Sequence, residues 1–372
     1  MDLRNYIFLI LLFLSAQSQA FASPINGDST KSKKADSSQS HIHKFMLLPA
    51  VIKTPETNVG FGLASGYFFK TSKRDTLIRT SNIELVGLYT LRHQVLIEVG
   101  ANVYFSGEKY ILKSHNSYSH FPDKFWGIGN YTSNFHENYT FEQIYFLPTL
   151  QRKIYKSLFV GLNYEFQNVF TLEYQKGGLF DQQNVAGRFG GIISGGGLQI
   201  GWDNRNNAFS SSKGGYAQFS YSRFNKLLGS NFTFSIYNID LRKYFKTIKR
   251  QVLALQLFGN FTQGNPPIRN LSALGGPNVM RGYYMGRYRD KHLIAVQAEY
   301  RIPIYKRIGM VVFAGLGEVA SSLSQFSTYG IKPSFGSGLR FALKQKEKLN
   351  LRLDFGVGYH STAAYVIVTE AF

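Results

Sequence analysis

From residue 44 to the last residue, 372, the chain runs as short segments in which apolar and polar side chains alternate, broken by turns rich in Gly, Asn and Ser. In 293–302, Ile294, Val296, Ala298, Tyr300 and Ile302 fall on one side and Gln297, Glu299 and Arg301 on the other. In 349–359, Leu349, Leu351, Leu353, Phe355 and Val357 oppose Asn350, Arg352, Asp354 and Gly356. A period of two is that of a β-strand, whose successive side chains point to opposite faces. A strand with one greasy face and one charged face suits a transmembrane barrel, where the first meets lipid and the second lines a lumen. Counting 45–52, 59–69, 81–90, 95–104, 110–119, 140–151, 158–172, 192–202, 216–224, 231–245, 251–262, 293–302, 310–319, 334–344, 349–359 and 363–372 predicts about sixteen antiparallel strands, an even number as barrels of one chain require. Pro49 interrupts the first run, marking it as an edge or seam. The run 231–245 changes phase between Ile236 and Tyr237, for which a bulge is expected.

The first 22 residues change the picture from a β-protein to an exported one. A charged start, an apolar run over 6–14 and Ala20-Phe21-Ala22 read as a cleavable secretory signal peptide. Residues 23–43 are rich in Ser, Lys, Asp and Gln and read as a disordered periplasmic tail, leaving 44–372 as the barrel domain. No later apolar stretch is long enough for a membrane helix, so the outer membrane is the expected location. Cysteine is absent and aromatic residues make up 16% of the chain, with 24 Tyr and 32 Phe, which suits girdles at two membrane interfaces. The net charge of +20 is dispersed along strand faces and turns. That distribution, in an exported chain, argues against nucleic acid and for phosphate-bearing lipids, lipopolysaccharide and phospholipid, or an anion-attracting lumen.

Candidate chemistry is sparse. His41 and His43 form a metal-like pair in the tail, and the glycines at 60, 62 and 66 lack the helix of a phosphate loop, so neither metal nor cofactor is expected. No Gly-x-Ser-x-Gly elbow occurs, and an enzyme is not expected, although a triad assembled from separate strands has no sequence signature. Arg301, Arg340, Lys344 and Arg352 lie on lumen-facing positions, and a passive channel with a cationic lumen is one reading of them.

Between the eleventh and twelfth runs lies a long basic loop holding Gly275-Gly276 and Met280-Arg281-Gly282-Tyr283; the run after it ends Ala298-Glu299-Tyr300-Arg301-Ile302-Pro303. With the polar turn Asp203-Asn204-Arg205 and the terminal Thr369-Glu370-Ala371-Phe372, these resemble the Omp85 superfamily, the BamA- and TamA-like outer-membrane barrels. The resemblance covers 44–372. It implies that the Arg281 loop folds into the lumen, that Arg281 is held by acidic groups on the wall with Glu299 the preferred partner, that Gly282 gives a close approach and that Tyr283 stacks on the inner wall. Phe372 is expected to end the last strand and close the barrel. Where the family commonly has Asp on the thirteenth strand this chain has Gly315, and where it has Val or Ile before the arginine this chain has Met280. The anchor is therefore expected to rest on Glu299 alone. Family members that insert or secrete proteins carry periplasmic POTRA domains; with only 23–43 ahead of the barrel, this chain looks like a POTRA-less member. The resemblance implies insertion or translocation of membrane proteins or lipids, with client membrane proteins and a second barrel, as a homodimer, as partners.

Overall fold

A computed structural model describes residues 44–72, 78–207, 209–344, 348–368 and 370–372. The expected signal peptide, the tail 23–43 with its histidine pair, and Thr369 lie outside the described residues. The strands are β1 (Lys44–Thr54), β2 (Asn58–Phe69), β3 (Ser81–Thr90), β4 (Val95–Tyr104), β5 (Tyr110–Phe125), β6 (Glu137–Tyr155), β7 (Leu158–Tyr174), β8 (Gly191–Asp203) and β9 (Gly214–Phe224). They continue as β10 (Phe234–Lys246), β11 (Val252–Gly264), β12 (Ser272–Leu274), β13 (Tyr288–Asp290), β14 (His292–Tyr305), β15 (Ile308–Ala320), β16 (Lys332–Lys344), β17 (Leu349–Gly358) and β18 (Ser361–Val368). All but β12 and β13 form one closed antiparallel barrel in chain order, β11 pairing with β14 and β18 with β1; β12 and β13 form a separate two-stranded ribbon.

The alternation read from the sequence sorts side chains as a barrel requires. Leu63, Leu85, Leu162, Leu198, Val296, Leu339 and Phe355 are exposed on the outer wall, while Glu299, Arg340, Arg352 and Asp354 on the same strands are buried inside. Short turns at 156–157 and 306–307 lie at one end, and the long connections 175–190, 265–291 and 321–331 at the other. In outer-membrane barrels the short turns are periplasmic and the long loops extracellular. The Asp203-Asn204-Arg205 turn is at the periplasmic end, where Arg205 grips Asp203 with two hydrogen bonds, both 2.9 Å.

Two expectations need correction. β10 pairs with β9 and β11 without a register shift, so there is no bulge at Ile236. The phase changes because the lumen itself is apolar there: Phe234 and Ile236 pack with Phe224 and Ile193 inside the barrel. The last strand also stops earlier than its alternation suggests. β18 ends at Val368, and Glu370, Ala371 and Phe372 are buried inside the periplasmic mouth, where Phe372 packs on Tyr244, Val252 and Ala254 of β10 and β11. Phe372 thus does not close the seam. Among the described residues β1 and β18 are in register at one pair, Lys53↔Val366, while β1 pairs with β2 along its 11 residues. Pro49 is accommodated because β1 is close to a free edge over that stretch, the place where a sheet accepts a residue without an N–H.

Candidate functional site

The loop between β11 and β14 carries the residues singled out in the sequence. The β12–β13 ribbon pairs Ser272 with Asp290 and Leu274 with Tyr288, bringing the loop's two arms together. Gly275 (φ 111°) and Gly276 (φ 99°) then turn the chain in conformations open to glycine, and Gly276 N donates to Tyr283 O at 3.1 Å. A Cβ on Gly275 would stand 2.4 Å from Tyr284 O, so this glycine is needed for space as well as for φ. Met280 (φ 57°) and Gly282 (φ 113°) flank Arg281 and aim it at the wall.

Arg281 is 1% exposed. Its Nη2 lies 2.7 Å from Glu299 Oε2 on β14 and its Nη1 2.6 Å from Asp354 Oδ2 on β17, while the guanidinium stacks 3.6 Å above the Phe313 ring of β15. The anchor therefore does not rest on Glu299 alone. Strand parity put Asp354 in the lumen, but strand alternation carries no information on height, and only the closed barrel brings β14 and β17 to one guanidinium. The remaining arginines complete a buried network. Arg301 Nε donates to Glu299 at 2.8 Å and its Nη2 to Phe372 O at 2.8 Å. Arg340 bonds Glu370 at 2.7 Å and Asp354 at 2.5 Å, and Arg352 reaches Asn278 of the loop at 3.0 Å. Arg301, Arg340 and Arg352 thus face the lumen, but as counter-ions in a buried cluster with Glu299, Asp354 and Glu370. Lys344 ends β16, and its side chain is outside the described residues.

The rest of the tip is read by hydrogen bonds to β16–β18. Gly282 N donates to Tyr365 Oη (3.1 Å), Ser361 Oγ to Gly282 O (2.7 Å), Tyr283 Oη to Pro333 O (2.6 Å) and Ser334 Oγ to Arg281 O. Burial pushes the Tyr283 hydroxyl up to about 12, so it remains a donor at any physiological pH. The tip lies in a slot cut by glycines that the sequence did not single out. A Cβ at Gly356 would come 2.7 Å from Gly282 N, and one at Gly358 2.4 Å from the Tyr283 ring. Gly358→Val is expected to drive Tyr283 out of this slot at a cost of about 1–3 kcal/mol. Limited proteolysis should then cut the loop faster; unchanged cleavage would show that the slot does not hold the tip.

The two departures from the family pattern touch each other. A Cβ on Gly315 would lie 3.1 Å from Met280 Sδ and one on Gly317 3.1 Å from Met280 Cγ, so the longer Met280 fills room that glycines leave on β15. The carboxylate absent from position 315 has its counterpart in Asp354.

Beyond the tip the loop reaches the opposite wall. Tyr284 Oη donates to Asp123 Oδ1 of β5 at 2.7 Å, Met285 N to Glu56 in the β1–β2 turn, and Arg287 to Thr132, Ser133 and Asn134. A second loop joins it: Phe180 of α1 (Leu179–Gln182) packs with Phe125, Tyr139 and Ile268, and Ile268 N donates to Ala186 O at 2.9 Å. The loop therefore crosses the lumen from β14–β18 to β5–β6.

These features place the chain among known proteins. No curated protein matches it. Among solved structures it is similar to BamA from Haemophilus ducreyi lacking POTRA domains 1–3 (12% identity, TM-score 0.58, 88% of this chain and 70% of that one). It is also similar to CdiB from Acinetobacter baumannii (11%, 0.56, 89% and 66%) and CdiB from Escherichia coli (10%, 0.58, 87% and 62%). At these identities the likeness is one of fold, and the chain spans 62–70% of the length of the three. The Omp85 superfamily domain matches residues 90–363, from the end of β3 into β18, and the chain belongs to the Omp85 superfamily of outer-membrane barrels.

Proposed function

We propose that this barrel inserts or moves membrane proteins or lipids at the outer membrane by parting between β1 and β18. The observation that carries the reading is the seam: one pair in register among the described residues, beside strands paired along their lengths. Each missing backbone pairing lowers the cost of opening, since exposed sheet edges recruit other strands. The Arg281 tip adds a mechanical element. Through Glu299, Asp354, Gly282 and Tyr283 it ties β14, β16, β17 and β18 to one loop, so that this wall moves as a block whose free margin is β18. A client strand could pair with either exposed edge, its backbone groups satisfied by the sheet as a membrane demands.

The test uses the chain's lack of cysteine. Lys53→Cys with Val366→Cys places two thiols at the seam's registered pair. Reduced, the variant in vesicles is expected to speed the folding of a urea-denatured eight-stranded barrel; oxidised, it should not, and dithiothreitol should restore the rate. Equal rates in both states, or none in the reduced state, would remove the seam from the function.

The second reading, a passive channel, has the lumen's arginines in its favour, but Arg301, Arg340 and Arg352 are bonded to carboxylates or to the chain, and one loop crosses the lumen with a second packed against it. Clients, a second barrel as partner, and lipopolysaccharide as ligand belong to the proposal and are tested by the same vesicles with and without each.

A further inference from the structure

The tight turns at the two ends of the barrel are built from different residues. At the extracellular end, left-handed turn positions are taken by Asn58 (φ 56°), His93 (φ 60°) and His360 (φ 50°). At the periplasmic end they are taken by Lys156 (φ 36°), Arg250 (φ 69°), Lys306 (φ 44°), Lys348 (φ 58°) and Glu108 (φ 53°). Asn and Gly are the residues a two-residue hairpin favours there, because a longer side chain at positive φ carries a steric cost. Four of these five periplasmic positions are Lys or Arg and none of the three extracellular turn positions is, which marks a requirement other than folding. Local rules are broken where function needs it.

The second observation is an aromatic ring beside two of these cations, Lys156 and Lys306, and beside two further lysines at the same end, Lys109 and Lys243. Ile154-Tyr155-Lys156 on the β6–β7 hairpin recurs as Ile304-Tyr305-Lys306 on the β14–β15 hairpin. Tyr110, Tyr155, Phe245 and Tyr305 are exposed on the outer wall at this end. Above them stand Lys109 (5.9 Å to the ring centre), Lys156 (5.2 Å), Lys243 (5.8 Å) and Lys306 (5.0 Å). None of these four lysines has an ion-pair partner among the described residues. Amphipathic rings settle at the headgroup level of a bilayer; Lys109, Lys156 and Lys306 lie just beyond their rings, at the height of the lipid phosphates, and Lys243, two residues before Phe245 on β10, reaches that height by extending along the wall. Each of these distances is from the ammonium Nζ to the ring, a cation–π contact that holds the charge on the outer wall.

We infer that the periplasmic rim, through Lys109, Lys156, Lys243 and Lys306 on their aromatic supports, binds the headgroups of anionic phospholipids in the inner leaflet of the outer membrane. The leaflet facing the periplasm is phospholipid, so a glycerophosphate headgroup is the phosphate within reach. The net charge of +20, placed in part on these turns, is complementary to it. The inference stands apart from the seam, since it requires only the folded barrel in a bilayer.

The full chain in phosphatidylcholine vesicles would be probed with spin-labelled phosphatidylglycerol and spin-labelled phosphatidylcholine, reading the immobilised fraction of each. Phosphatidylglycerol is expected to be retained about fivefold over phosphatidylcholine, the effect of one lysine at a membrane surface. The preference should fall towards parity in the variant with Lys109, Lys156, Lys243 and Lys306 all changed to Gln. It should survive when the same four are changed to Arg, and also in Lys176→Gln/Lys226→Gln, which removes exposed lysines from the opposite end. Should the glutamine variant fail to fold, the wild-type preference must still fade as salt is raised through the range where the Debye length shrinks. Parity in the wild type, a preference unchanged in the folded glutamine variant, equal loss in the extracellular control, or insensitivity to salt would each overturn the inference.

Discussion

Glu299→Ala is expected to destabilise the barrel by about 3–5 kcal/mol, more than Arg281→Ala, for which about 1–3 kcal/mol is expected. The order follows from the charges of the buried cluster. Arg281, Arg301, Arg340 and Arg352 face Glu299, Asp354 and Glu370, with Phe372 O taking one further guanidinium bond. Removing Arg281 leaves Glu299 with Arg301 at 2.8 Å and Asp354 with Arg340 at 2.5 Å. Removing Glu299 takes from Arg281, Arg301 and Arg340 the buried carboxylate that all three share. Arg281→Lys should behave like the alanine variant, because one ammonium cannot bridge two carboxylates on separate strands as a planar fork does. Reversible urea unfolding of the vesicle-inserted protein, followed by tryptophan emission and by heat-modifiable gel migration, reads the order directly. If Arg281→Ala proves the more damaging, the cluster is not governed by the carboxylate its arginines share.

Deleting 272–289 is expected to turn a small, flickering single-channel conductance into a large, steady one. This segment carries the tip and the contacts with Asp123, Glu56 and 132–134, and so forms the span across the lumen. Its loss leaves Glu299 with Arg301 and Asp354 with Arg340 on the wall, so the barrel should still fold. Barrels of about sixteen strands leave an aqueous channel when nothing fills them. A large, steady wild-type conductance that the deletion does not change would mean that the loop does not occlude the lumen, and would put the channel reading ahead of the seam.

Much of this fold was legible because lipid and lumen impose opposite demands on neighbouring residues. The strands around Glu299, Arg340 and Asp354 could be placed, with the correct face, from alternation alone. So could the identity of the loop that enters the lumen, since Gly275, Gly276, Arg281, Gly282 and Tyr283 keep a known spacing. Phase was misleading where the lumen is itself apolar: Phe234 and Ile236 read as a bulge and are an internal patch. Alternation also could not announce that 370–372 leaves the wall, because a strand and a tail folded back beneath it have the same pattern. Asp354 was seen as a lumen residue but not as a partner of Arg281, and the glycines at 356 and 358 passed as ordinary strand glycines. Each of these depends on which residues share a height across the barrel, a property of strand tilt and stagger that sequence periodicity does not encode.

The contact between Met280 and Gly315 ties the fates of two positions together. An aspartate at 315 would start from a Cβ already 3.1 Å from Met280 Sδ and 3.2 Å from Gln297 Cβ, and would press a carboxylate into that thioether. Valine at 280 opposite Gly315 would leave unfilled space and, being β-branched, would sit at the φ of 57° that Met280 holds, where such a side chain is strained. Either substitution made alone therefore carries a cost that the finished structure does not show.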